Sequence, residues 1–433
     1  MARHAKPTGD PTYKSGPSKL SGPSRLSGPS LNTGSSFMKN PSNMTNPQRL
    51  LLAFIGICAA LTLAGLALLW PPSTAPAISD SFSSSFGLNQ EYVRGTVTAV
   101  DPGGCPPPNE EGCKRNTVRI EEGPNKSIST HLITHEVAGE PQLNQGDKVL
   151  LTQTHTPDGY TYAFGDYQRG VPLAMWGIVI CLAIVALAAW YGVRSLIGLT
   201  YSLGVILFFL VPALLHGGPA IPLAVTAVSA IVIVSVPLVH GLNWKSASAL
   251  SGTLVSVLVT AVLATWAIGS TNLRGLGNDE NLNLVLYLPE VQILGVMMCG
   301  FIVGAVGGLN DVTVAQASTV KELVAADPAA RPWQQFSSAM KVGRDHVSSM
   351  TYTLVLTYTG AALPMLLIQY VSTRSAGLIL TGDEVATELL RSGTGALAIV
   401  FAVPITTIIA AFVIPRRQTL YTTTTVDNDS VTP

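Results

Sequence analysis

The sequence is short of charge. Only 12% of its 433 residues are Asp, Glu, Lys or Arg, about half the usual share of a soluble domain. A single hydrated globule is therefore excluded as the main architecture. Formal net charge is zero, which excludes a bulk nucleic-acid partner bound through phosphates. There is no Gly-x-x-x-x-Gly-Lys-Ser/Thr loop, so the chain carries no nucleotide cradle of that kind. Cysteine is scarce, with five in all. His131, His135 and His155 lack a supporting Cys or Asp spacing, so no metal site and no cofactor are expected. The Gly-x-Gly-Asp of diaspartyl intramembrane proteases is also missing: residues 307–311 read Gly-Gly-Leu-Asn-Asp. No enzyme activity is expected.

Long apolar runs are what the chain has. Eight segments of about 19 residues or more, without acid or base, approach the roughly 20 residues that cross a hydrocarbon core. They are Leu50–Trp70, Pro172–Tyr191, Ser195–Leu215, Ile221–Val239, Ala247–Ile268, Val291–Leu309, Thr351–Val371 and Ala396–Ile414. The expected fold class is an α-helical membrane bundle of about eight transmembrane helices with a small extracytoplasmic, OB-like β-barrel domain. The first run could be read as a signal peptide ending at Ala75-Pro76-Ala77. It is longer than the apolar region of such peptides, so a retained helix is expected.

Orientation follows from Lys and Arg. Residues 1–49 carry Arg3, Lys6, Lys14, Lys19, Arg25, Lys39 and Arg49 against Asp10 alone. Placing both termini in the cytoplasm also puts Arg194, Lys245, the 310–350 segment and Arg416-Arg417 there. The expected organisation is a disordered basic tail over 1–49, containing SGPSKL-SGPSRL-SGPS, and a first helix over 50–70. An outer β-domain with its linker follows over 71–170, then a seven-helix bundle over 171–415 and a C-terminal tail over 416–433. The localisation is the cell membrane, multi-pass, with the lipid bilayer as the first partner.

Five short strands are expected in the outer domain, at Tyr92–Val100, Thr117–Glu121, Ile128–Ile133, Lys148–Gln153 and Tyr160–Phe164. Turn formers separate them. Acids outnumber bases twelve to seven between residues 73 and 170, unsuited to nucleic acid but open to a protein of the envelope. Cys105 and Cys113, in CPPPNEEGC, face an oxidising compartment in this topology and are expected to form a disulfide.

Two stretches carry polar groups beside apolar runs. GGLNDVTVAQ, from Gly307, is expected to loosen the sixth helix at its glycines, with Asn310 or Asp311 capping a new helix through Val324. Gln316 follows. GRDHVSSMTYTLVLTYTGAALP, from Gly343, sets Arg344, Asp345 and His346 at the membrane edge. Ser349, Thr353 and Thr357 then stack at i, i+4, i+8. These residues are the candidate path for an unknown small solute or ion. A bland alternative stays open, in which Asp311 only caps a helix and pairs with Arg344. Gly300, Gly304 and Gly308 have small-xxx-small spacing, suited to close packing inside the bundle or in a homo-oligomer.

Extended to GGLNDVTVAQASTVKEL, the first stretch, with the second, with DYQRGVPL, RSLIGL and HGLNWKSASALSGTL, resembles the YibE/F-like family of bacterial membrane proteins over residues 90 to 415. The family commonly has Met-Asp where this chain has Asn310-Asp311, which points to the aspartate. The resemblance implies a multipass cell-membrane protein of the kind described as transporters. It implies no substrate.

Overall fold

The computed structural model describes residues 44–73, 90–102, 112–157, 159–277, 279–288 and 290–416. The basic tail repeat, most of the linker, Cys105 and residues 417–433 lie outside them.

Helix α1 (Asn46–Leu68) starts with a capping box from Thr45 and Gln48. It packs into the bundle at both ends. Gln48 Nε2 donates to the Val413 carbonyl at 3.0 Å, and Gly65 lies against the Thr226 side chain.

The outer domain has the five strands expected: β1 (Glu91–Pro102), β2 (Cys113–Ile120), β3 (Ser129–His135), β4 (Lys148–Thr156) and β5 (Gly159–Tyr167). They form one antiparallel sheet in the order β3-β2-β1-β4-β5. The sheet curls into a half-barrel. Val93, Val97, Val118, Ile120, Leu132, Val149 and Leu151 fill its concave core, as the period-2 pattern requires. A register shift between Val97 and Ala99 bends β1. The histidines do not converge: His131 meets Thr117, His135 faces Glu140, and His155 stacks edge-on against Tyr160.

The stretch DYQRG fastens this domain to the bundle. Arg169 donates to both Asp166 oxygens at 2.7 Å. The guanidinium holds the Asp166 carboxyl below the usual carboxylate range. Gln168 Nε2 donates to the Val149 carbonyl, and the Tyr167 hydroxyl to the Gln142 carbonyl. The next helix therefore leaves the sheet at a fixed place.

That helix, α2 (Gly170–Leu215), covers two of the expected spans in one 46-residue stretch. At about 1.5 Å per residue it would be roughly 69 Å long if straight, twice a hydrocarbon core. It is not straight. Ala189 has non-helical backbone (φ 47, ψ −128). A Cβ on Gly192 would lie 2.7 Å from the Ile184 carbonyl oxygen, eight positions back, where an unbroken helix separates residues by about 12 Å along its axis. The chain bends back there, beside a glycine that allows the approach.

The remaining helices are α3 (Ala220–His240), α4 (Trp244–Thr271), α5 (Asp279–Tyr287), α6 (Ile293–Ala326), α7 (Pro332–Ala361), α8 (Leu363–Val371), α9 (Ala376–Leu380) and α10 (Asp383–Val413). Among the described residues six helices are long and apolar enough to span a membrane. The pair α7–α8, bent by 63°, meets the same criterion only when taken together. The expected straight span Thr351–Val371 thus breaks at Ala362. Pro364, in the first turn of α8, cannot donate a backbone bond to the preceding turn. The 310–350 segment is no loop: it forms the lower halves of α6 and α7, joined at residues 327–331.

The core of the bundle is α4, α6 and α10, with α3 and α7 on its flanks. Leu254, Val257, Ile302, Leu309, Ile399 and Val403 are buried together. Asp383, at the start of α10, accepts from the Arg274 and Leu276 amides at 3.0 Å, which ties α10 to the segment that follows α4.

Candidate functional site

The glycines of GGLND do not break a helix. α6 runs unbroken from Ile293 to Ala326. Gly308 is the contact point with α10, where an added Cβ would sit 3.0 Å from Ile399 Cδ1. Gly304 gives the same room to the Tyr358 hydroxyl of α7. Close packing, favoured in membranes by small residues, overrides weak helix propensity here. The small-xxx-small face is therefore spent inside the bundle at these two glycines. Asn310 and Asp311, in mid-helix, cap nothing.

Below them lies a buried polar layer. Ser251 and Thr253 of α4, Thr313 and Gln316 of α6 and Thr406 of α10 are all fully buried. The Thr253 and Thr313 hydroxyls bridge α4 and α6 at 2.7 Å. Thr253 also donates to the Ala249 carbonyl, or Thr313 to that of Asn310, depending on which hydroxyl gives its proton to the bridge. Gly252 abuts Thr406 so closely that a Cβ there would overlap its hydroxyl. Gly343 of α7 abuts the Gln316 amide in the same way. Four helices thus meet at one level through two glycines.

Five polar atoms of this region have no hydrogen-bond partner among the described residues: Ser251 Oγ, Asn310 Oδ1, Gln316 Nε2, Gln316 Oε1 and Thr406 Oγ1. More than nine in ten buried polar groups in proteins are paired, and each unpaired one costs about 1–3 kcal/mol. Helix-forming alone would not retain them. Chemically the layer offers amide and hydroxyl oxygens as acceptors, and the Gln316 amide and the Ser251 and Thr406 hydroxyls as donors, without net charge.

The candidates named from the sequence divide between this layer and the outside of α7. Gln316 is in the layer and Asn310 borders it. Arg344 and Asp345 are exposed on α7, with His346 half-buried. Ser349, Thr353 and Thr357 form a stripe, but on the outer face. Thr353 donates to the Ser349 carbonyl and Thr357 to that of Thr353, the local bonding that hydroxyls adopt when no other partner is offered. The stripe therefore lines no internal path. Asp311 is exposed, and among the described residues no ion pair joins it to Arg344.

Sequence reading missed Ser251, Thr253, Thr313 and Thr406. For Ser251 and Thr253 the signal was present in SASALSGTLVSVLVT: hydroxyls and glycine at three- and four-residue spacing along α4, from Ser248 to Thr260.

The end of the core away from this layer is closed differently. Arg391 pairs with Glu388 at 2.8 Å and lies 5.6 and 5.8 Å from the ring centres of Phe301 and Tyr358, within cation–π range. A lateral groove of about 470 Å³ between α4, α7 and α10, lined by Leu263, Trp266, Thr351 and Leu397 among others, is apolar apart from its Ser and Thr side chains.

Compared with known proteins, residues 176–416 match the family described as YibE/F-like protein. No curated protein matches, and no solved structure does.

Proposed function

The chain belongs to the YibE/F-like family, and from that premise we propose that it is a secondary transporter or permease of the cell membrane. It moves a small polar solute or ion through the layer between α4, α6, α7 and α10. The observation that carries this reading is the set of unpaired polar atoms on Ser251, Gln316 and Thr406, each in a fully buried side chain. Intramembrane polar groups that face a bundle interior mark solute and ion pathways. On one side of the layer the Arg391–Glu388 pair packs against Phe301 and Tyr358, and with both termini in the cytoplasm that is the outward side.

The test is flux from proteoliposomes holding the full-length protein and a panel of inorganic ions and small polar metabolites, with and without an imposed proton gradient. At least one solute should leave faster than from protein-free vesicles. No acceleration for any member would count against transport. A second reading, a non-enzymatic assembly or sensing protein, draws on the outer domain. Tyr92, Ile128, Ile133 and Val137 are exposed there, each by about half its surface, and would suit a protein of the envelope. We read that half-barrel as OB-like. Specific capture of such a partner by the intact protein, with no flux, would favour this alternative.

Orientation has its own test. With both termini in the cytoplasm the outer domain folds in an oxidising compartment, and Cys113, buried at the start of β2, bridges to Cys105. By the chain-entropy model such a loop contributes roughly 2–3 kcal/mol. Mass spectrometry of protein alkylated without reduction should find the two cysteines linked. Two alkylated thiols would overturn the bridge and weaken the orientation.

A further inference from the structure

Phe301 and Lys321 mark two levels of charge along α6. At the first, Arg391 and Glu388 pair beside the Phe301 ring. At the second, Lys321 and Glu322 are exposed and 4.0 Å apart. Twenty positions separate the levels, about 30 Å of helix, which is the thickness of a hydrocarbon core. Asp311 lies ten positions from each, about 15 Å either way, midway between the two charged levels.

The side chain there is exposed, with no ion-pair partner within 4.0 Å among the described residues. The spans α3, α4 and α10 bring no acid or base to this level. α7 brings Arg344, Asp345 and His346, and none pairs with it. One turn away Gly307 faces open space, with nothing within 4 Å of where a Cβ would be. The preceding residue, Asn310, has an unpartnered oxygen, and its carbonyl is within reach of Thr313, which bridges to Thr253. A lone carboxylate in hydrocarbon is costly, and a proton removes that cost.

We propose that Asp311 is a proton-carrying carboxyl group, taking up and releasing a proton midway between the two charged levels, beside the buried polar layer, and so making the protein proton-coupled. The coupling rests on the transporter reading; the protonation does not.

The test uses dicyclohexylcarbodiimide on the full-length protein in membranes. This apolar reagent reacts with a neutral carboxylic acid. The acid's proton goes to one reagent nitrogen while its oxygen bonds the central carbon. The acyl group then shifts to nitrogen, leaving a stable N-acylurea that retains the whole reagent. Peptide mass spectrometry should place the adduct on Asp311, at least tenfold above Asp327. Labelling should fall about tenfold per pH unit once the pH passes its midpoint, and Asp311→Glu should keep it. No adduct at Asp311 while a water-soluble carbodiimide with an added amine labels it as readily as Asp327, exposed in the 327–331 connection, would overturn the proposal, because the group would then sit in bulk water. No adduct with either reagent would overturn it equally. An adduct at Asp311 together with no flux for any solute would keep the proton site and sink the transporter reading instead.

Discussion

Gln316→Leu is expected to raise the melting temperature of the detergent-solubilised protein and to abolish flux. Gln316 is fully buried, and neither its amide nitrogen nor its amide oxygen has a partner among the described residues. Leucine has similar bulk and nothing to satisfy. Unpaired groups cost about 1–3 kcal/mol each, so removing both should stabilise the fold by at least that order. A gain of stability with loss of activity is the signature of a polar residue kept for function rather than for folding. Differential scanning fluorimetry beside proteoliposome flux measures both. A variant that melts lower, or that keeps full flux, would take Gln316 out of the path.

Gly343→Ala should destabilise the protein strongly. A Cβ at Gly343 would overlap the Gln316 amide and lie 2.6 Å from Val403 Cγ1. Gln316 and Val403 are buried on all sides and have nowhere to move. Overpacking of this kind costs about 1–3 kcal/mol or more, enough to lower abundance in the membrane several-fold. Gly307→Ala supplies the contrast. That glycine is also in mid-helix but faces open space, so alanine should gain up to about 1 kcal/mol of helix propensity. Immunoblots and melting curves of the two variants should move in opposite directions. Equal stability would mean that α6 and α7 do not meet at Gly343.

These two glycines show what could be read in the sequence and what could not. Apolar runs located α1, α3, α4, α6 and α10, because burial in lipid demands composition alone. Alternation and turn residues located β1 to β5 for a similar reason: a half-buried strand carries its own pattern. GGLND misled. A glycine pair has the same local propensity whether it breaks a helix or admits a neighbour, and only Ile399, far away in sequence, decides which. The hydroxyl stripes repeat the lesson. Ser349, Thr353 and Thr357 on α7 and Ser248 to Thr260 on α4 have equal periodicity. Periodicity defines a face, and the packing of α6 and α10 against α4 determines which face is inside. Of the site, Gln316 was legible because an amide inside an apolar stretch is conspicuous. Thr406 was not, since Thr-Thr in a membrane helix is ordinary.

The place of α10 bears on how the protein is made. It is the last helix of the described chain to leave the ribosome, yet it supplies the wall of the core against α4, α6 and α7. Until it arrives, Gly252 and Gly308 have no Thr406 or Ile399 to receive, and the α4 hydroxyls face whatever lies beside them. Insertion and assembly are therefore separate events in time. A ribosome that stalls before residue 383 leaves α3, α4 and α6 packed on one another but without the wall that α10 supplies.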